Sequence, residues 1–244
     1  MSHFVLFQMN SWQRENYVEK HEFYVSQSKK RLLDQFTDEA IKKEADEVAA
    51  ASYKERGRWF NPDYDDPTDN AEAAYEDGIW RYELLNELRD QVRLNIIVGF
   101  YHNWEKALRE WLVNEVGHWH RGEKLKAQIW KVKIDDIFDL FERSQWNIRN
   151  QDFFELLYNC SLIANISKHG DGPSLQKLKD RNPDYFNASI LDESFGITAH
   201  SWTYEDLSIS NTHLDNFAEA IMHFWQALPE NIKTTKLLNL RLGL

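Results

Sequence analysis

Leu88, Val92, Ile96, Phe100, Trp104, Leu108 and Leu112 fall at uniform four-residue steps, with no proline inside the run. On a helix each such step advances about 400°, so the row winds slowly around the axis. With Leu85, Ile97, Tyr101 and Trp111 it makes an apolar surface too broad for a two-helix contact. The pattern predicts one long helix from about Asn70 to Trp119, at the centre of a helical bundle.

Apolar periodicity elsewhere is also helical. From Arg14 to about Arg56, Val18, His21, Val25, Leu32 and Phe36 recur at three- or four-residue steps or multiples of them. The stretch Asn61 to Asp69, with two prolines and many Asx residues, reads as an acidic connection. Glu123 to Trp130 is a further helix, and Asp135 or Asp136 is expected to cap one that carries Ile137, Phe138, Leu140 and Phe141. The next begins near Asn150, carries Phe153, Leu157, Cys160 and Ala164, and ends on Gly170. Pro173 then suits the first turn of a short helix with Leu175 and Leu178. Asn187 to Ser208 shows no sustained period and is expected to be loop. A last helix starts near Asn211 or Thr212, with Thr212 and Asp215 as a capping box, and runs through Leu214, Phe217, Ala218, Ile221, Trp225 and Leu228 to Pro229. No strand pair, repeat or low-complexity tract stands out. The expected fold is therefore all-α: an N-terminal long helix over 1–60, a linker over 61–69 and a bundle over 70–244, together forming one domain.

Composition narrows the classes of function. A single cysteine, Cys160, permits no intrachain disulfide, and the start Met1-Ser2-His3-Phe4 has no basic segment ahead of an apolar core. Ile96-Ile97-Val98-Gly99-Phe100 is far shorter than the roughly 20 apolar residues that span a bilayer. The expectation is a cytoplasmic protein with no membrane partner. A net charge of −11 excludes broad wrapping of nucleic acid, which needs many phosphate-neutralising cations. The acid is concentrated at Glu44 to Glu47 and Asp63 to Asp77, whereas Lys124 to Lys133 and Lys168 to Arg181 are comparatively basic, so a polyanion can be oriented toward one face. The ten tryptophans are expected mostly on apolar faces, where their area serves the bundle.

Chemistry concentrates in Asn165-Ile166-Ser167-Lys168-His169-Gly170-Asp171-Gly172-Pro173-Ser174. Asn165 and His169 lie four residues apart on one helix face, with Lys168 beside them. A histidine can exchange protons near neutral pH, and Asn and Lys can hold an anion or stabilise developing negative charge. The helix start after Gly172 adds backbone N–H donors, so Gly170, Gly172 and Ser174 are candidate phosphate-binding positions and His169, Asn165 and Lys168 candidate catalytic ones. The plain structural reading stands beside this one: His169 complements the negative end of its helix, and Asn165 satisfies backbone.

Ala164 to Gly172, followed by Leu175, Leu178, Pro183 and Phe186, resembles the late motif of HEPN-like proteins. The likeness is close from Ala164 to Phe186 and looser from about Asn70 to Pro229, including Phe224-Trp225. It implies an all-α bundle that forms a homodimer. It also implies a role in prokaryotic toxin, abortive-infection or antiviral systems, with a cognate antitoxin or defence partner protein. Active members of the family are metal-independent endoribonucleases, so RNA is the implied substrate and no cofactor is expected. In those members an Arg shortly precedes the His. Here the corresponding places hold Leu162, Ile163 and Ala164, with Ser161 next, so only His169 and the polar Asn165 carry over. The alternative is a noncatalytic helical module that binds a partner protein or RNA.

Other candidates are weaker. Arg14 and His21 form an Arg-x6-His string outside the resembling region, and His118 and His120 lack a second ligand cluster. His200, His213 and His223 are scattered. Arg56, Arg58, Trp59 and Phe60 place cations beside aromatics, an arrangement that can stack on bases, although packing at a core or rim is the expected use.

Overall fold

A computed structural model describes residues 4–120, 124–186 and 202–234. In chain order the elements are β1 (Phe4–Gln8), α1 (Ser11–Ser28), α2 (Asp38–Gly57), α3 (Pro67–Gly117), α4 (Leu125–Lys131), α5 (Ile134–Arg143), α6 (Phe154–His169), α7 (Pro173–Arg181), α8 (Asn211–Ala227) and β2 (Asn231–Thr234). The fold is all-α around the long helix α3. Two compact units divide it, one of residues up to Val25 and from Ile97 onward, the other of Ser26–Ile96. Gly122 and Glu123, His200 and the expected loop from Asn187 as far as Ser201 lie outside the described residues.

In the first unit the winding row is core. Ile97, Phe100, Tyr101, Trp104, Leu108, Trp111 and Leu112 of α3 are all buried. Phe224 of α8 lies at the hub, with ring centroids 5.1 Å from Trp104, 5.6 Å from Trp146, 6.2 Å from Phe153, 6.4 Å from Phe141 and 5.1 Å from Trp225. The large edge-bearing rings fill space that aliphatic residues would need many more side chains to close.

Arg14 and His21 seat α1 on α8. The Arg14 guanidinium donates to the carbonyls of Trp225 (2.9 Å) and Gln226, terminal acceptors that the helix itself cannot pair. His21 Nε2 lies 2.8 Å from the Ala218 carbonyl oxygen, and its ring meets Phe100 edge-on. The Arg-x6-His string therefore serves packing. Burial pulls the His21 pKa below its ordinary value, against the opposing pull of the Ala218 bond and Glu22. The unfolded chain thus binds a proton that the folded one resists, so stability is full above about pH 6.5 and falls as the pH drops below it. His21→Gln keeps an amide donor for Ala218 and is expected to show a smaller fall in Tm between pH 7.5 and 5.5 than the parent protein, measured by thermal melts.

A strand pair is present where none was expected. β1 runs antiparallel to β2 with a register shift between Val5 and Phe7. α3 and the turn that follows it hold β1 in place: from α3, Trp111 Nε1 donates to the Gln8 carbonyl (3.0 Å) and the buried carboxylate of Glu115 accepts from Gln8 N–H (2.7 Å), and from the turn Trp119 Nε1 donates to the Leu6 carbonyl (3.2 Å). Two expected caps also move. Lys133, not an aspartate, precedes α5, and Asp135 and Asp136 lie inside its first turn. Ser210, not Thr212, caps α8, in a reciprocal box with His213. Ser210 is the residue whose extended backbone (ψ 169°) lets its hydroxyl turn back to the His213 N–H.

The second unit is a helical hairpin. The single helix expected from Arg14 to Arg56 is two, because the chain leaves α1 through a π-turn over Lys29–Leu33, and Thr37 restarts it by accepting from Ala40 N–H. Leu33, not Leu32, is the buried residue of this corner. α2 and the first part of α3 meet along a seam of small residues. A Cβ on Gly78 would stand 2.9 Å from Ala49 Cβ and 3.2 Å from the Ala45 carbonyl oxygen. Ser52 and Arg56 bond Asp77 across the pair and hold its carboxyl below the usual range, while Glu44 reaches Arg81. α3 begins at Pro67, inside the stretch read as linker.

Candidate functional site

α6 and α7 pack against each other in the first unit. One side of α6 is apolar, and Leu157, Cys160, Ile163, Ala164 and Ile166 vanish into the core. The helix stops at Gly170, whose positive φ of 65° is costly for a side-chain-bearing residue and whose N–H bonds the Ile166 carbonyl at 2.8 Å. Gly172 then caps α7 and Pro173 opens it.

A later segment locks this corner. Tyr204 N–H donates to Asp171 Oδ1 at 2.9 Å, and the Tyr204 ring lies over Gly170, 3.5 Å from where a Cβ would stand. Thr203 and Asp206 close a capping box on the short turn Tyr204–Asp206 that carries this tyrosine, and Lys179 donates to the Trp202 carbonyl. Asp171 is therefore a structural anchor. The turn after α6 is held by bonds on both of its sides.

Asn165, Lys168 and His169 are all exposed and share one arc of α6. Gly172 is exposed, and Gly170 and Ser174 are half-buried at the same corner. Five of the six candidate residues thus fall at or beside the turn that ends α6, with Asn165 one helical turn earlier. Leu162, Ile163 and Ala164 are buried, and Ser161 is buried with its hydroxyl donating to the Tyr158 carbonyl at 2.6 Å. An arginine at any of these places would have to enter the core. Cys160 is fully buried, which pushes its thiol far up and leaves no thiolate for chemistry.

Sequence reasoning missed a second group along α6. Arg181 lies 5.0 Å from the Tyr158 ring centroid, Arg149 lies 6.0 Å from that of Phe154, and Phe154 stacks on Tyr158 at 6.0 Å. Lys177 Nζ stands 3.5 Å from the Tyr158 hydroxyl. Carboxylates fix the cations: Glu155 takes Arg181 and Asn182, and Asp139 takes Arg149 at 2.7 Å. Partial burial pulls the Glu155 carboxyl up, yet its donors Arg181, Asn182 and Asn159 overcome this and hold it below the usual carboxylate range. The available signal was the basic run Lys168 to Arg181, but only the α6–α7 packing shows which of its cations meet rings.

The weaker candidates separate from this surface. Among the described residues no group of three or more His, Cys, Asp and Glu is arranged to hold a metal ion, and His118 and His120 stand exposed beyond α3. Trp59, expected at a core or rim, is 81% exposed, because α2 ends at Gly57 and the following turn carries it into solvent. Arg58 and Arg56 are engaged by Glu55 and Asp77. Among the described residues no helix is long and apolar enough to cross a membrane. Compared with family models, curated proteins and solved structures, the chain matches none.

Proposed function

We propose that the chain is a HEPN-like RNA-binding protein that grips single-stranded RNA along α6 and α7. The observation that carries this reading is the joint exposure of Asn165, Lys168 and His169 at a turn held by Asp171 and Tyr204. Lys168 and the first-turn amides of α7 suit a phosphate, and Asn165 suits a ribose or base edge. Arg181, over the half-buried Tyr158 ring, and Lys177, at its hydroxyl, suit the charged backbone that continues from this corner. A local cationic strip of this kind works despite the chain's net charge of −11, because screening limits charge effects to about 8 Å at physiological salt.

Fluorescein-labelled single-stranded RNA, with EDTA present to exclude metal-dependent nucleases, supplies the test. Lys168→Ala is expected to weaken binding about tenfold, the loss of one charge-assisted contact of roughly 1.5 kcal/mol, and to lower the salt slope by about 0.7. Unchanged affinity and slope in Lys168→Ala and His169→Ala would remove RNA from this corner.

Metal-independent cleavage, in a toxin or defence role and as a homodimer, is the stronger form of the same reading. There His169 exchanges the proton of the ribose 2′-hydroxyl or the leaving oxygen, while Lys168 and the backbone from Gly170 to Ser174 hold the phosphate. Product formation in EDTA that disappears in His169→Ala carries that form. The noncatalytic module is favoured by a separate observation: the places of the family's arginine are core positions here. RNA binding by the parent protein without cleavage assigns the chain to that class.

A further inference from the structure

The four-residue row that organises α3 begins before Leu88, and among the described residues none covers its first third. Trp80 and Leu84 extend it toward the N-terminus, and these two with Leu88 are 61%, 39% and 48% exposed. Further along the same row Val92 is half-buried, and every position from Ile96 to Leu112 is buried. Tyr75, Ile79 and Tyr82 are exposed too, but on the opposite side of α3, where they line a shallow cavity with Ala45, Asp46 and Ala49 of α2, so the open stripe is Trp80, Leu84 and Leu88. The cause lies in the hairpin seam. Ala45, Ala49, Ala74 and Gly78 bring α2 and α3 close together, and Trp80, Leu84 and Leu88 fall outside that seam. A patch of this kind on a chain rich in charge marks a place where another molecule sits.

Charge selects the occupant. From Asp38 to Ile96 there are sixteen carboxylates and eight Lys or Arg, so this hairpin carries most of the chain's net negative charge. Glu76, Glu83 and Glu87 border Trp80, Leu84 and Leu88 and take no cation partner among the described residues. A second copy would bring the same acidic surface against itself, and anionic lipid or RNA would be repelled. We infer that the Trp80-Leu84-Leu88 stripe docks a basic amphipathic helix of a partner protein, whose apolar residues extend the buried row of α3 and whose Lys and Arg pair with Glu76, Glu83 and Glu87. Tryptophan is among the residue types enriched at interface hot spots, and an amphipathic helix is a partner that lays an apolar face along such a stripe. This inference uses no residue of the α6–α7 corner.

The test uses the full chain and a labelled 18-residue Leu/Lys amphipathic helix, with a Leu/Glu counterpart as control. The basic peptide is expected to bind and to protect amides between Tyr75 and Val92 from hydrogen exchange, while the acidic one does not bind. Trp80→Ser/Leu88→Ser, both at exposed positions, is expected to weaken binding at least tenfold with an unchanged Tm. Glu83→Lys/Glu87→Lys is expected to weaken it several-fold, with a reduced dependence on salt. Equal affinity in both variants, or protection confined to other segments, overturns the proposal. A protein dimer that Trp80→Ser/Leu88→Ser dissociates in sedimentation also overturns it, since the stripe would then be occupied by a second copy. RNA affinity is expected to be the same in all these variants, which separates this result from the fate of the α6–α7 reading.

Discussion

Phe224→Ala is expected to cost the fold about 4 kcal/mol and to lower Tm by on the order of 10 °C, read from denaturant and thermal melts. Phe224 is fully buried and touches five other aromatic rings, contributed by α3, α5, α8 itself and the turn between α5 and α6. Its removal opens a cavity whose walls are indoles and phenyl rings, large rigid bodies with few rotamers through which to collapse. Phe224→Leu refills part of the volume without the edge-to-face geometry and is expected to lose about half as much. A loss below 1 kcal/mol for Phe224→Ala would mean that the aromatic hub is not the organising centre of this unit.

What made the fold legible was a pattern repeated along one helix. From Phe100 to Leu112 the row records its own burial, because every fourth residue meets the core of the first unit, and α3 follows from the whole row to within a few residues. β1 and β2 left no such record. Each is five residues or fewer, and their pairing joins Phe4 to Thr234 across almost the whole chain, so no local period reports it. The break between α1 and α2 was hidden for the opposite reason. Charged residues with good helix propensity fill both sides of Thr37, and only the hydroxyl that accepts from Ala40 N–H marks the restart. Tryptophan was read too uniformly. Trp104, Trp111, Trp146 and Trp225 are buried, but Trp12, Trp59 and Trp80 are well exposed, because no described residue packs over that side of their helix or turn.

The α6–α7 corner was legible in its backbone and less so in its surroundings. Gly170 and Pro173 announce a helix stop and a helix start through the φ values they permit, and both occupy those places. The exposure of Asn165 and His169 follows from the same helical phase that buries Cys160 and Ile163. Nothing local foretold that Asp171 would be tied to Tyr204, since the bond spans 33 residues. Nor could composition distinguish Lys179, buried against the Trp202 carbonyl, from Lys177, which stays at the surface beside Tyr158. Among cations of one basic run, packing decides which are left to meet a ligand.

The second large effect is expected at Arg109, a cation that the core has taken up completely. Its guanidinium is buried, donates to the carbonyls of Ile129 (2.7 Å) and Val132 (2.8 Å), and pairs with Glu105 at 2.6 Å. Those carbonyls close the C-terminal end of α4, where no further helical N–H can reach them and where positive charge complements the helix dipole. Arg109→Met keeps most of the volume and is expected to cost about 3 kcal/mol, because two carbonyls and a carboxylate lose their donors together. Arg109→Lys is expected to recover little of this, since a single ammonium cannot serve directions that a planar fork serves at once. Glu105→Gln keeps an acceptor and leaves the α4 carbonyls bonded, so it should cost far less. The loss should also be local at first: hydrogen exchange in Arg109→Met is expected to accelerate in α4 before it does in α8. Uniform acceleration across both helices would show that Arg109 supports the whole core rather than the seat of α4.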